Sequence, residues 1–143
     1  MPTNGRSRRD VLVDTSVAVA LVVQDHEQHG AVSDALANCQ LGLAGHAAFE
    51  TYSVLTRLPG TARRSAALVG EILRRSFPQS AFLPVEAAAA LVARLPSLGL
   101  AGGAVYDALV GSAARHHGLV LMTRDRRASV TYRALEVQYE LIS

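Results

Sequence analysis

Four acids sit where a carboxylate could work rather than only solvate. Asp14 closes the run Val11-Leu12-Val13-Asp14-Thr15-Ser16. Glu50 falls early in a helical stretch, Asp107 stands in Tyr106-Asp107-Ala108-Leu109, and Asp125 ends Leu119-Val120-Leu121-Met122-Thr123-Arg124-Asp125. Carboxylates crowded into one crevice repel each other and raise each other's pKa, and a divalent cation relieves that. Hard oxygen ligands favour Mg²⁺, or Mn²⁺ in its place, over zinc. The chain has no CxxC and no HExxH to suggest a zinc site. Two such ions ~3.5–4 Å apart activate a water and stabilise the leaving oxygen of a phosphodiester, and one ion does part of that job.

Each acid also has a plainer reading. Asp14 with Thr15 and Ser16 could cap a helix. Glu50 could be a solvated helix residue. Asp107 could favour a helix N-terminus for its dipole, and Asp125 could form an Asx-turn. What joins them is the order of the elements. Strand patterns at Val11–Val13, Leu41–Ala44, Ala81–Leu83 and Leu119–Met122 alternate with helical ones at Thr15–Val23, His26–Asn38, His46–Leu58, Ala62–Ser76, Glu86–Leu95 and Ala104–His117. Pro59-Gly60 stops one helix, Thr61 is a cap for the next, and Gly118 is a C-terminal stop. Arg126–Leu135 reads as a short helix or turn, and Val137–Ile142 as a final edge strand.

Strands separated by helices imply βαβ units, and continuous apolar strands imply burial on both faces. The expected fold is α/β, a three-layer α/β/α sandwich around a short, mostly parallel sheet. In such sheets sites lie at the carboxyl ends of the strands. Asp14 and Asp125 follow strands directly. Glu50 begins the helix leaving a strand. Asp107 begins a helix that runs antiparallel to the strand it leads into, so its first turn sits over that strand's end. All four acids are thereby expected at one rim.

Composition narrows the options. A chain of 143 residues defaults to one domain, expected over residues 10–143 behind a flexible polar arm at 1–9. A domain of this size buries roughly 68–70% of its unfolded surface without staples. Half the residues are apolar, which argues against disorder. The single Cys39 cannot make an internal disulfide and suits a reducing compartment. All 14 basic residues are Arg. The P-loop clamp, Schiff-base catalysis and pyridoxal phosphate attachment, which need lysine, are excluded. A net charge of +2 and a pI of about 9.1 are compatible with a nucleic-acid partner without arguing for one. Ser7-Arg8-Arg9 before an apolar run resembles a twin-arginine export signal. However, Asp14 interrupts the run, and cleavage after Ala18 or Ala20 would discard the first strand. A cytoplasmic protein without a membrane span is expected.

The four motifs, in this order and at this length, resemble the PIN-domain family, and within it the VapC-type toxins of bacterial toxin–antitoxin pairs. The resemblance covers nearly the whole chain after residue 10. It implies a Mg²⁺- or Mn²⁺-dependent endoribonuclease that leaves a 5′-phosphate and a 3′-hydroxyl. The family's acids fall on Asp14, Glu50, Asp107 and Asp125, with Ser16 or Thr123 as supporting hydroxyls. It also implies a homodimer and a small VapB-type antitoxin that occludes the site. The N-terminal arm is longer than the family's, and Arg6, Arg8 and Arg9 have no counterpart in its motifs.

Around these acids, Arg124, Arg126 and Arg127 are candidates for substrate phosphate, or form a solvated turn. Arg57, two helical turns beyond Glu50, could reach a phosphate or pair with Glu50. No aromatic side chain interleaves with the arginines in sequence, so base stacking is not indicated. His46 opens the helix that carries Glu50 and could touch substrate. His26 and His29 read as a surface pair. The all-apolar Val17–Val23 is core or a partner surface. Two rivals stand beside the nuclease reading. An aspartyl-phosphate enzyme would place Asp at strand ends but also uses a lysine, absent here. A non-catalytic PIN-like module binding RNA or protein would keep the acids only as caps. Gly99–Gly103 does not form GxGxxG after a strand, which removes a dinucleotide site.

Overall fold

The computed structural model describes residues 7–143. Four strands, β1 (Arg9–Val13), β2 (Cys39–Leu43), β3 (Val120–Thr123) and β4 (Tyr139–Leu141), form one sheet in the order β2-β1-β3-β4, with every pairing parallel. Among the described residues, seven helices connect or cover them. They are α1 (Thr15–Val22), α2 (His29–Ala35), α3 (Ala47–Thr56), α4 (Ala66–Ser76), α5 (Val85–Arg94), α6 (Ala104–His116) and α7 (Arg126–Ala134). β1 is flanked on both edges, and Val11, Leu12 and Val13 are wholly buried, as the unbroken apolar run requires.

Alternation along the strands separates two cores. Leu12 and Leu121 face one side, with Leu91 of α5, Ala108, Val110 and Ala114 of α6, and Tyr132 of α7. Val11, Val13, Leu43 and Met122 face the other, with Val17 and Ala18 of α1, Val32 of α2 and Phe77 at the end of α4. The three layers are therefore helix, sheet, helix, as expected. Val17, Ala18 and Ala20 of α1 are spent on the second core, while Leu21 and Val22 are half-buried.

Several boundaries differ from the sequence reading. The strand expected at Ala81–Leu83 shrinks to a single bridge between Ala44 and Ala81, made by Ala81 N–H to Leu43 O and Gly45 N–H to Ala81 O. Phe82 is already half-exposed and Pro84 has no N–H to extend a ladder. α4 is capped by Ser65, whose hydroxyl accepts from Leu68 N–H at 3.2 Å. Thr61 instead lies in a single 3₁₀ turn, Gly60–Ala62. α2 starts at His29 rather than His26, because the His26 ring accepts from Gln28 N–H and holds a turn there. His29 Nδ1 lies 3.0 Å from Ala20 O, so the two histidines do not pair. Of the expected arm at 1–9, the first six residues, Arg6 among them, lie outside the described residues. Arg9 belongs to β1, where its guanidinium pairs with Glu140 of β4 at 2.7 Å. No helix among the described residues is long and apolar enough to cross a membrane.

One close approach fixes where α3 starts. A Cβ on Gly42 would stand 2.2 Å from Gln79 O, because the 77–81 segment lies directly against β2 and Gln79 N–H bonds Leu41 O. Only glycine admits that contact. It sets the end of β2, and so the start of the helix that carries Glu50.

Candidate active site

Asp14 stands one residue past β1 and is 5% exposed. Its Oδ1 accepts from Ser16 Oγ at 2.5 Å and from Val17 N–H at 3.2 Å. Its Oδ2 accepts from Thr123 Oγ1 and from Tyr132 OH at 3.2 Å. Asp14 therefore does cap α1, yet three side-chain hydroxyls also fix it, two of them from other elements, Thr123 of β3 and Tyr132 of α7. Burial pushes its pKa up, while these four donors favour the charged form and oppose the rise. The same hydroxyls knit the rim together: Ser16 Oγ accepts from Arg124 N–H at 3.0 Å, and Thr123 Oγ1 accepts from Asp125 N–H at 3.0 Å.

Asp125 caps α7, its Oδ1 accepting from Arg127 and Ala128 N–H at 2.9 and 3.2 Å. Glu50, in the first turn of α3, is held by Thr15 Oγ1 at 3.0 Å and lies 3.3 Å from His46 Nε2. Asp107, in the first turn of α6, has its pKa raised to about 6. Partial burial is the main cause, followed by the charges of Asp125, Glu50 and Asp14, with Arg127 opposing. Three other carboxylates reach Asp107 electrostatically although they come from distant parts of the chain. All four acids, with Thr15, Ser16, Val110 and Tyr132, line one small cavity of about 60 Å³.

That donor set suits a hard divalent cation. The volume exceeds the roughly 10–15 Å³ that one water requires. Among the described residues no three His, Cys, Asp or Glu side chains form a ready-made ligand cluster. Mg²⁺ does not demand one, since it keeps several of its waters and takes one or two carboxylates directly. Neighbouring carboxylates repel one another, and a divalent ion in the shared cavity would offset that charge.

The arginines divide. Arg127 acts on Asp107 through its charge, and Arg124 and Arg126 flank Asp125 on the same rim. None of the three lines the cavity itself. Arg57 is not brought to the site. It ends α3 as an exposed residue, and Glu50 takes Thr15 and His46 as partners instead. Tyr132 is the residue that sequence reasoning missed. Its ring is 1% exposed, and burial beside Asp14 drives its hydroxyl pKa far up, which keeps it a donor. Gly111 was the available signal: a Cβ there would meet the Tyr132 ring at 2.9 Å, so the glycine in α6 makes room for that tyrosine.

The structure also assembles aromatics that are scattered in sequence. His46 stacks on Tyr106, with centroids 5.0 Å apart and planes 21° from parallel, and on Phe49 at 6.2 Å and 29°. Phe82 meets Phe49 edge-on. The sequence carried a hint, since Phe49 and Tyr106 each immediately precede an acid of the cavity.

Known proteins agree with this architecture. The PIN domain family profile matches residues 11–134, from β1 through α7. The chain is 43% identical over 125 residues to ribonuclease VapC27 of Mycobacterium tuberculosis strain H37Rv, covering 87% of this chain and 91% of that protein. It is 44% identical over 132 residues to ribonuclease VapC40 of M. tuberculosis strain CDC 1551, covering 91% and 97%. FitAcB from Neisseria gonorrhoeae shares the fold with a TM-score of 0.65 at 18% identity, over 90% of this chain and 95% of that one. FitAB bound to an IR36 DNA fragment aligns with a TM-score of 0.63 at 17% identity, over 92% and 94%. With a profile match running from the first strand to the last helix, and relatives above 40% identity over most of its length, this chain belongs to the PIN-domain family.

Proposed function

We propose that the protein is a divalent-metal-dependent endoribonuclease, the VapC-type toxin of a toxin–antitoxin pair. The observation that carries this reading is the single cavity lined by Asp14, Glu50, Asp107 and Asp125. The names of the relatives, ribonucleases VapC27 and VapC40, support the substrate class. Asp14, Glu50, Asp107 and Asp125 would hold Mg²⁺, with Mn²⁺ substituting. When bound, the cation supplies Lewis acidity, meaning a nucleophilic water at neutral pH and a counter-charge for the leaving oxygen.

The chain's own residues do the rest. Ser16, Thr123 and Tyr132 aim the Asp14 carboxylate, and their hydrogen bonds leave it one orientation. Thr15 and His46 aim Glu50. Burial and the neighbouring acids raise the Asp107 pKa to about 6, and a bound cation would offset the charges that raise it. Arg124, Arg126 and Arg127 form a basic rim that suits the RNA backbone. Arg57, exposed at the end of α3 and not the partner that Glu50 takes, is the weakest phosphate candidate.

The reading includes a VapB-type antitoxin that covers the site, a homodimer and a cytoplasmic location. Val85 and Val92, 86% and 63% exposed and seven residues apart on α5, offer one apolar stripe to a second copy.

The test is cleavage of total RNA by the purified protein in Mg²⁺, Mn²⁺ or EDTA, with sequencing of the new ends beside an Asp14→Asn control. Discrete ends that need the cation and vanish in the variant are expected. RNA bound but left whole in Mn²⁺ would instead select a non-catalytic PIN-like module. Full cleavage by Asp14→Asn would remove the proposed site.

A further inference from the structure

We propose that His46, Phe49 and Tyr106 form a stacking platform that takes one unpaired nucleobase beside the phosphodiester to be cut. The proposal rests on the ribonuclease reading above. The three rings lie in series: His46 is sandwiched loosely between Tyr106 at 5.0 Å and Phe49 at 6.2 Å, in near-parallel planes. They remain open to solvent, Phe49 at 66% and Tyr106 at 51%. The platform also adjoins the cavity, because His46 Nε2 reaches Glu50 at 3.3 Å and Tyr106 precedes Asp107 in α6.

Packing inside the domain does not account for these rings. Apolar rings left exposed and already aligned lower the ordering cost of accepting another flat π-system. A protein partner is the poorer occupant. The patch borders four carboxylates and a basic rim, and the core of a protein interface is depleted in charged groups. A nucleotide offers both halves of the match, a π-face for the rings and a phosphate for the neighbouring cation site and arginines. The platform also implies single-stranded RNA, since a base inside a duplex presents no free face.

The experiment uses the full chain, a fluorescent single-stranded oligoribonucleotide that the parent protein cuts, and copies carrying one abasic position on either side of the cut. Binding is read by anisotropy in EDTA, and cleavage in Mn²⁺ is resolved into KM and kcat. Phe49→Ala and Tyr106→Ala should each weaken binding about 5- to 150-fold, the range for loss of one base–aromatic stack. The loss should appear in KM with kcat nearly kept. Phe49→Trp and Tyr106→Phe, which retain a ring, should bind like the parent. One abasic position should cost the parent the same factor and cost the alanine variants nothing further. Equal abasic penalties in parent and variants would overturn the platform. So would sedimentation showing that the alanine variants lose binding only because a dimer has come apart. If the parent binds single-stranded RNA but cuts none in Mg²⁺ or Mn²⁺, the ribonuclease reading falls, while a scan of single abasic positions along a bound oligoribonucleotide in EDTA, compared between parent and alanine variants, still decides the platform.

Discussion

Asp107 shows how a site residue can work against the fold that holds it. Its pKa rises from 3.8 to about 6, chiefly by burial and then by the three neighbouring acids. Below pH 3.8 the folded and unfolded chains are both protonated there, so the residue costs nothing. Between pH 3.8 and 6 the unfolded chain ionises first, and stability falls as pH rises. Above about pH 6 the penalty is complete. A shift of this size is worth roughly 3 kcal/mol for a dry group, and solvent screening of this half-exposed carboxylate leaves about 1 kcal/mol. Asp107→Asn should therefore stabilise the cation-free protein by about 1 kcal/mol at pH 7.5 and by almost nothing at pH 4, read by urea melts in EDTA. The same variant should not cleave RNA. A variant less stable than the parent at pH 7.5 would contradict the account of Asp107's charge. Tyr132→Phe makes the complementary case. It removes one of four donors to Asp14 without opening a cavity, so it should destabilise by about 1–3 kcal/mol. It should also slow cleavage, because Asp14 loses its aim. Unchanged rates in Tyr132→Phe would confine that tyrosine to packing.

Two glycines set how closely the elements approach, and they separate sharply from a third. Gly42→Ala forces a Cβ onto the backbone of Gln79 and Ser80, which cannot swing aside as a side-chain tip can. It should cost about 1–3 kcal/mol or more and disturb the entry to α3. Gly111→Ala pushes on the Tyr132 ring at 2.9 Å and should weaken both stability and cleavage, since that ring carries the hydroxyl on Asp14. Gly30, in α2 with nothing within 4 Å of a new Cβ, is the control: Gly30→Ala should be neutral or stabilising by up to about 1 kcal/mol. Chemical melts of the three variants check the order, and a tolerant Gly42→Ala would mean that the 77–81 segment moves freely. These contacts also mark where sequence reading stops. Alternation of strand and helix placed Asp14, Glu50, Asp107 and Asp125 at one rim, because chain direction alone decides which end of a helix lies over which end of a strand. It read Ala81–Leu83 as a strand, because β-propensity cannot register that only Ala81 reaches a partner. It missed Tyr132 and the stacked rings, whose roles exist only once α3, α6 and α7 have docked at particular separations. It gave the cap of α4 to Thr61, because a threonine hydroxyl after Pro59-Gly60 caps as well as a serine one and sequence does not show that Gly60–Ala62 closes a 3₁₀ turn before Ser65.

The acids of the cavity are separated by up to 111 positions, Asp14 to Asp125, so the unfolded chain has no such site. Whatever binds the gathered carboxylates binds the folded molecule alone and must stabilise it by mass action. At a free cation concentration of 100 times Kd that amounts to about 2.7 kcal/mol, or a Tm rise of about 6–10 °C for a domain of this size. Mn²⁺ or Mg²⁺ at pH 7.5 should therefore raise Tm over the same buffer with EDTA. NaCl at matched ionic strength should do much less, because it screens the repulsion without coordinating oxygen. The rise should shrink at pH 5.5, where Asp107 keeps its proton and the cation must displace it. It should disappear in the double variant Asp14→Asn/Asp107→Asn, although that protein starts without the Asp107 penalty. The same rise in NaCl, or in the double variant, would mean that these carboxylates only repel one another and hold no cation. A rise specific to the divalent ion and lost with the two acids would instead connect the charge cost stored in the rim to the chemistry proposed for it, independently of any RNA.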